Sequence, residues 1–527
     1  MKYFFILSLI MSSFIILGWS QTTHSSSLFG TTFFTPRSQA AHLTRRVTTN
    51  IWSLDYYTNQ ESITGQLHAT IAYEQSFRPE QIASYFFGTN ELSVKGSAVT
   101  TRTSTDILAD YFGLSPSFSS TTLLEPSTRS VIGELSVHLN DRCWHFSCFI
   151  PIVWTRHDLS FSECIHNDGT DMSYPANYMG TNELTAPYTS FAQSLQGSVD
   201  FGDVRHRQYG RFCPTQTKSG IAEINATFDY LLHESDTGIY RCGFYFAAPT
   251  GNRPTATTFF EPIVGNGKHG ELGIIFNGKK IIWERDGDQE IVAGMHLLFS
   301  HLFATEQRRS FDLCSAGFGS RFILLKEFDT TNTYTGVTRS VLDHTTLCCT
   351  VSVPIQCELI FMFSYRKNCL SLDCGYSAWI RSKERVHLNT CSPEKCTYHC
   401  AELHTQRLGL KGIQDATNQM TESSATLSGA VFSEQNTRAD ATSPVFLAYN
   451  DINTSSAASP SQLTHGFFGA ITYFHEEKEE EPCFIHSYSC GFEAACEGNR
   501  NDHEFYAIAH KPTRSHWSLW FTYGIEF

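Results

Sequence analysis

The C-terminal segment, Trp517 to Phe527, constrains the fold more than any other stretch. Counting back from Phe527 in steps of two gives Ile525, Tyr523, Phe521, Leu519 and Trp517. The positions between them are Glu526, Gly524, Thr522, Trp520 and Ser518. Strict period-two alternation of this kind marks a strand with one greasy face and one mostly small or polar face.

That strand closes on an aromatic residue. Trp517, Leu519, Phe521, Tyr523, Ile525 and Phe527 resemble the C-terminal β-signal of bacterial outer-membrane barrels. The resemblance implies lipid as surroundings and the barrel-assembly machinery as a partner. The N-terminus is consistent with export. Lys2 is the only charge before Gln21, Phe4 to Leu17 is an apolar run, and Gly18-Trp19-Ser20 places small residues at −3 and −1 of a cut before Gln21. This order predicts a signal peptide over 1–20, and the run is shorter than the ~20 apolar residues that span a bilayer. No Cys follows the cut, so no lipid anchor is expected. We expect an N-terminal segment over 21–45 and the body of the protein over 46–527.

Beyond the signal no apolar run is longer than that of Leu359 to Phe363, far short of a membrane helix. Yet aromatic residues make up 13% and charged residues only 17% of the chain. Such a balance suits strands that alternate and rims that carry aromatic girdles. The net charge of −14 argues against nucleic-acid binding, which draws on a basic face.

There are 17 Cys in a chain read as exported, so disulfides are allowed and at least one thiol is left over. Cys369, Cys374, Cys391, Cys396, Cys400, Cys483, Cys490 and Cys496 are the disulfide candidates. The spare thiol leaves room for a homo-oligomer or for cross-linking between chains. Cys391, Cys396 and Cys400 with His399 and His404 match no closed zinc module, so no metal and no cofactor is expected. Cys348 and Cys349 are adjacent, and if they lie in a strand they face opposite sides of it.

The terminal alternation recurs. Leu67, Ala69, Ile71 and Tyr73 share one face and His68, Thr70, Ala72 and Glu74 the other. Val131 to Leu139 behaves the same way, and so do Ala222 to Tyr230 and Tyr240 to Ala247, joined by the turn-like Glu234 to Gly238. Ile291 to Phe303, Cys357 to Tyr365, Phe467 to Phe474 and Phe505 to His510 are further candidates. In a soluble sandwich the apolar faces would pack a core; in a barrel they meet lipid and the polar faces line a wet lumen. Together these segments predict an all-β fold, a transmembrane antiparallel β-barrel of about 14 strands within a range of about 12–16, with long outer loops. Arg78 to Phe87, opened by Pro79, and Thr105 to Phe112, closed by Gly113, read as short helices in loops rather than as a lumen plug. Gln406 to Gln462 is rich in Ser and Thr and reads as a long polar loop.

Two motifs invite a functional reading. Pro249-Thr250-Gly251-Asn252-Arg253-Pro254 leads into Glu261-Pro262-Ile263-Val264-Gly265-Asn266-Gly267-Lys268-His269-Gly270, a shaped loop in which Gly and Asn tolerate positive φ. Gln307-Arg308-Arg309-Ser310-Phe311-Asp312 carries paired arginines. Arg253, Glu261, Lys268, His269, Arg308 and Arg309 are therefore candidates for a lumen constriction. These motifs, with Phe77-Arg78-Pro79 and Asp106 to Gly113, resemble an uncharacterised family of exported, porin-like outer-membrane β-barrels of host-associated Gram-negative-type bacteria. The similarity covers roughly 33–328 and the final ~60 residues. Lys268-His269-Gly270 stands where the family pattern has a His pair and an aromatic, so no ligand role carries over, and the resemblance implies no catalytic residues. The richness in Cys is similar in kind to that of cross-linked envelope porins.

No nucleophile elbow, zinc-protease helix or phosphate loop occurs, so no enzyme is expected. The reading is a porin-like channel for small solutes in the outer membrane. A closed, cysteine-rich structural or adhesive surface protein, a barrel hydrolase with an Asp/His or Ser/His pair at the rim, and a secreted disulfide-linked β-protein remain alternatives.

Overall fold

The computed structural model describes residues 31–50, 63–141, 143–286, 288–389, 407–411, 425–430, 446–476, 484–499 and 514–527. Twelve of its strands close into an antiparallel barrel. They are β1 (Thr64–Phe77), β2 (Ser119–Asn140), β3 (Trp144–Asn167), β4 (Ile224–Ser235), β5 (Gly238–Ala248) and β6 (Glu271–Arg285). There follow β7 (Gln289–Ser310), β8 (Thr346–Lys367), β9 (Leu370–Arg381), β10 (Gln462–Glu476), β11 (Ile485–Asn499) and β12 (Ser515–Glu526). Each pairs with its neighbours in sequence, and β12 returns to β1, with Leu67 opposite Ile525 and Tyr73 opposite Leu519. At this seam the Phe527 amide donates to the Gly65 carbonyl at 2.9 Å. Its ring covers Gly65 so closely that a Cβ there would lie 2.5 Å from it.

The faces fall as period two requires. Leu135 and Phe244 are 56% and 57% exposed on the outside, whereas inward Glu134 and Glu358 are 7% and 1% exposed. An apolar outside and a polar inside exclude a soluble sandwich, whose apolar faces would be buried, and define a barrel that meets lipid. β4 is prolonged upward by Thr215–Ile221, which also pairs with β3; the break at Ala222-Glu223 falls where Ala222 N donates to Pro151 O at 3.0 Å. Pro151 has no N–H to contribute to the ladder, a position that favours such an irregularity.

Among the described residues the barrel has two unlike ends. Tight turns such as Asp236-Thr237 and Asn368-Cys369 close one end, while segments 78–118, 168–214, 249–270 and 311–345 leave from the other. β2, β3, β7 and β8 run 22 to 24 residues. Only ~9–11 are needed to cross a bilayer, so their upper halves rise beyond it and support a cap. The cap has its own aromatic core. Phe86, from helix α2 (Pro79–Phe87; α1 is Leu43–Asn50), lies 4.5 Å from the Phe259 ring and 5.7 Å from Phe260, and Phe212 stacks on Phe259 at 4.4 Å.

The structure refines three expectations. The barrel has twelve strands, within the expected range of 12–16 and at its lower end, because several strands are almost twice the minimal length and because Leu324–Phe328 and Tyr334–Ser340 pair with each other in the cap. Of the helix expected over 105–112 only the 3-10 turn Ala109–Phe112 forms; Ile107–Leu108 instead pairs parallel to Glu91–Lys95, although Gly113 does cap the turn with φ 74°. The polar 406–462 stretch contributes Arg407–Leu410 to the cap sheet beside Leu324–Phe328, and 446–461 is also placed. Phe505 to His510 lies outside the described residues.

Candidate functional site

The lumen holds the N-terminal segment of the chain itself. At the mouth Thr31 N donates to Tyr85 O (2.8 Å) and Thr32 Oγ1 to Ser310 O (2.6 Å), while Phe34 joins the aromatic cap. From there residues 35–50 descend toward the short-turn end, where β1 begins. Their cations meet inward carboxylates of different strands. Arg37 pairs with Glu358 of β8. Arg46, in α1, grips Glu134 of β2 through Nη2 at 2.6 Å and Nε at 3.1 Å, and its guanidinium lies 3.9 Å over the Phe149 ring. Thr44 donates to Glu493 of β11 at 2.8 Å. Apolar contact is limited: Ala40, Leu43 and Val47 touch a thin layer that includes Ile132, Val153 and Ile360.

These residues form a plug held mainly by charge pairing. Burying both partners of an ion pair costs most of what their attraction returns, so such pairs fix register more than they add stability. Beside the plug lies a cavity of about 70 Å³ bordered by Arg46, His145, Asp229, Tyr245, Asn277 and His296. Its lining is mostly apolar, with Leu43, Val47, Phe149, Ile275 and Leu298 beside these polar groups. Three lumen histidines follow one another near it, with ring centroids 5.1 Å apart for His68–His138 and 5.7 Å for His138–His145, and His145 Nδ1 lies 3.3 Å from Asp229.

The Gly-rich loop 249–270 folds inward onto the plug. Gln39 Nε2 donates to Ile263 O and Gly265 N donates back to Gln39 Oε1, both at 3.0 Å. Gly265 (φ 83°) and Gly267 (φ 79°) are required here: added Cβ atoms would meet Glu223 Oε2 at 2.7 Å and Gln307 Nε2 at 2.8 Å. Of the constriction candidates, Arg253 is exposed, and Glu261 accepts from Thr255 and Ala256 within the loop. Lys268 is half-buried at φ 73°. His269 is buried; its Nδ1 meets Phe303 O at 2.7 Å and its Nε2 meets Gln307 Nε2 at 3.2 Å. Burial lowers its pKa to about 4, against a rise from the Phe303 carbonyl.

The arginine pair divides. Arg308 reaches Tyr209 OH at 3.0 Å in the cap. Arg309 is fully buried, paired with Glu384, donating to Ala457 O at 2.7 Å and lying 4.1 Å over the Phe33 ring. Burial alone would raise the Glu384 carboxyl, but Arg309 and Arg381 hold it down at about 2. The structure thus brings His269 and Arg309 together around Gln307 above the plug, leaves Arg253 and Glu261 on the 249–270 loop, and turns Arg308, near the end of β7, toward Tyr209.

The cysteines are dispersed. Cys374, Cys490 and Cys496 are exposed on strands, Cys369 sits in a tight turn, and all four are free thiols. Cys391, Cys396, Cys400 and Cys483 lie outside the described residues. Cys348 and Cys349 are consecutive in β8, the first half-buried and the second buried. At the rim, His206 Nδ1 lies 2.6 Å from Asp200, which also accepts the His206 backbone amide, so this Asp/His pair is internal to one exposed loop.

No protein-family model matches the chain, and neither does any curated protein. Among solved structures it is similar to an outer-membrane channel from Pseudomonas putida F1, at 10% identity over 90% of this chain and 98% of that one, with a TM-score of 0.33. A FadL homologue from Pseudomonas aeruginosa matches at 6% identity over 89% and 91%, TM-score 0.26, and the outer membrane protease OmpT from Escherichia coli at 7% over 89% and 99%, TM-score 0.22. The closed ladder itself carries the class: an even-stranded antiparallel barrel, apolar outside, with tight turns at one end and long loops at the other, is a transmembrane β-barrel of the outer-membrane kind.

Proposed function

We propose that this protein is an outer-membrane channel for small polar solutes, closed at rest by its own residues 35–50. The long loops face outward and the tight turns face the periplasm. The observation that supports this reading is the polar plug. A barrel built only as a scaffold would fill its interior with tightly packed side chains, whereas this segment is thin, flanked by a cavity and held by pairs such as Arg46–Glu134 that water and solute ions can replace. The proposal assigns no bond-breaking step, and selectivity follows from the charges that line the lumen wall once the plug moves.

Planar-bilayer recordings on the purified full chain test it. Wild type should conduct in rare, brief openings, and Arg46→Glu should open far more often. A folded Arg46→Glu barrel that never conducts would sink the channel reading and leave the closed structural protein, to which the aromatic cap at the mouth gives some support. Localisation is tested separately. In a Gram-negative host the unheated chain should fractionate with the outer membrane and migrate faster than after boiling, and removing Phe527 should abolish both behaviours.

A further inference from the structure

We propose that His42, Glu74 and His516 form a divalent transition-metal site that fastens the plug to the barrel wall at the β1–β12 seam. Ser76 lies opposite His516 and Glu74 opposite Ser518, so Glu74 and His516 are diagonal neighbours on the inward face. His42, just before α1, completes the group from the plug. One donor atom from each of the three lies within 4.8 Å of the others, and all three side chains are buried. Around a zinc-sized ion, ligand atoms at ~2.0–2.2 Å from the metal stand roughly 3–4 Å apart. The side chains therefore need to close by only about an ångström.

The donor atoms are poised for this role. Neither ring nitrogen of His42 has a hydrogen-bond partner, nor does Glu74 Oε2, although all three are shut off from solvent. Leaving such groups unsatisfied is costly, and an ion is one way to satisfy them together. His42 Nε2 lies 3.3 Å from Glu74 Oε2, and Nδ1 lies 3.8 Å from Glu493 Oε2. Closing the second distance by about an ångström would let the Glu493 carboxylate hold Nδ1 protonated and direct Nε2 to a metal. Glu493 is itself fixed, accepting from Thr44 at 2.8 Å and Ser377 at 2.9 Å. Glu74 gives its other oxygen to Arg514. Arg37 and Arg45 also approach, but Arg37 is paired with Glu358 and Arg45 donates to Gln39 O at 2.7 Å, so the site's own carboxylates remain available. Two imidazoles and one carboxylate suit Zn²⁺ or its neighbours rather than Mg²⁺ or Ca²⁺.

The site stands whether or not the barrel conducts; only its use as a fastening for the plug rests on the channel reading. The test uses untagged full-length protein, stripped with chelator in detergent and titrated with Co²⁺. One equivalent should bind with the absorption bands of a low-coordinate N/O site, and Zn²⁺ should displace it. Binding should vanish in His42→Gln and in His516→Gln, and weaken ~10–100-fold in Glu493→Gln, whose residue only orients His42. Heat-dependent gel migration verifies that each variant is a folded barrel. If Co²⁺ does not bind, or binds equally to folded His42→Gln, or is lost in His138→Gln instead, the proposal is overturned. Metal binding without any change in conductance would retain the site and remove its link to gating.

Discussion

At the mouth, Phe86 meets Phe34, Tyr85, Phe259 and Phe260 ring to ring, with centroids 4.5 to 5.8 Å apart. In the lumen beneath it, Arg37 and Arg46 reach single carboxylates on opposite sides of the wall. Both regions fill space, yet the first does so with apolar area taken from water and the second with paired charge. Area burial is non-directional and stabilises by ~25 cal/mol per Å², so the cap is stable and hard to rearrange piecemeal. Charge pairs are directional, return little net energy, and fail singly when one partner is removed. In the proposed channel, this difference separates a fixed cap from a movable plug.

The largest effect is expected in the cap. Phe86→Ala should cost about 3–5 kcal/mol, the usual range for deleting a buried aromatic ring. Limited proteolysis should then cut the long loops while the barrel keeps its heat-dependent migration. If the barrel unfolds together with the loops, cap and barrel are one cooperative unit and the contrast is weaker than the packing implies.

Next comes pH at the junction between the two regions. His269 donates from Nδ1 to Phe303 O, and its Nε2 must accept from the Gln307 amide, whose own oxygen takes Arg309. Only the neutral ring fits. Its folded pKa of about 4 lies below the usual histidine value, so stability is intact above about pH 6.5 and declines as pH falls toward 4, by about 3 kcal/mol at most. Glu384 behaves differently. With its folded pKa near 2, its contribution is full above about pH 5 and disappears only as pH drops toward 2. An acid titration of loop protection should therefore show an early loss, absent in His269→Gln, and a later one that this variant retains. A single transition near pH 3 in both proteins would refute the assignment.

Arg46→Ala should be milder, about 1–3 kcal/mol, because shortening a side chain that borders the cavity opens a route for water to the abandoned Glu134. Since about 1.4 kcal/mol is tenfold in a population, open-plug events should rise about tenfold or more. Thermal stability of the barrel should barely change. A large drop in barrel stability would mean that the plug is structural.

How much of this could be read from the residues differs between wall and plug. Period two is local, so the faces of Leu67 to Glu74 and of Trp517 to Phe527 were visible, and so were the Gly-rich turns of the 249–270 loop. Strand number was less visible because alternation shows direction but not where a strand leaves the bilayer. The plug left no local trace. Its residues are polar, and its partners Glu74, Glu134, Glu358 and Glu493 lie on four separate strands, with Thr44 and Glu493 separated by 449 positions. Each carboxylate looked like one more polar position of an inward face until the barrel closed around them.

The smallest effect is expected at the rim, and it completes the comparison. Asp200 and His206 form a short pair, but both are exposed and lie on one loop. An exposed pair of this kind contributes ~0–1 kcal/mol and fades with salt. Asp200→Asn should therefore leave folding, loop protection and conductance within error of wild type at physiological ionic strength. The same variant addresses the hydrolase alternative, since a rim Asp/His pair that worked on substrate would lose turnover on removal of its carboxylate. Peptide and lipid-ester hydrolysis should be at background in both proteins. Turnover that is present in wild type and lost in a fully folded Asp200→Asn would move the function from the lumen to the rim.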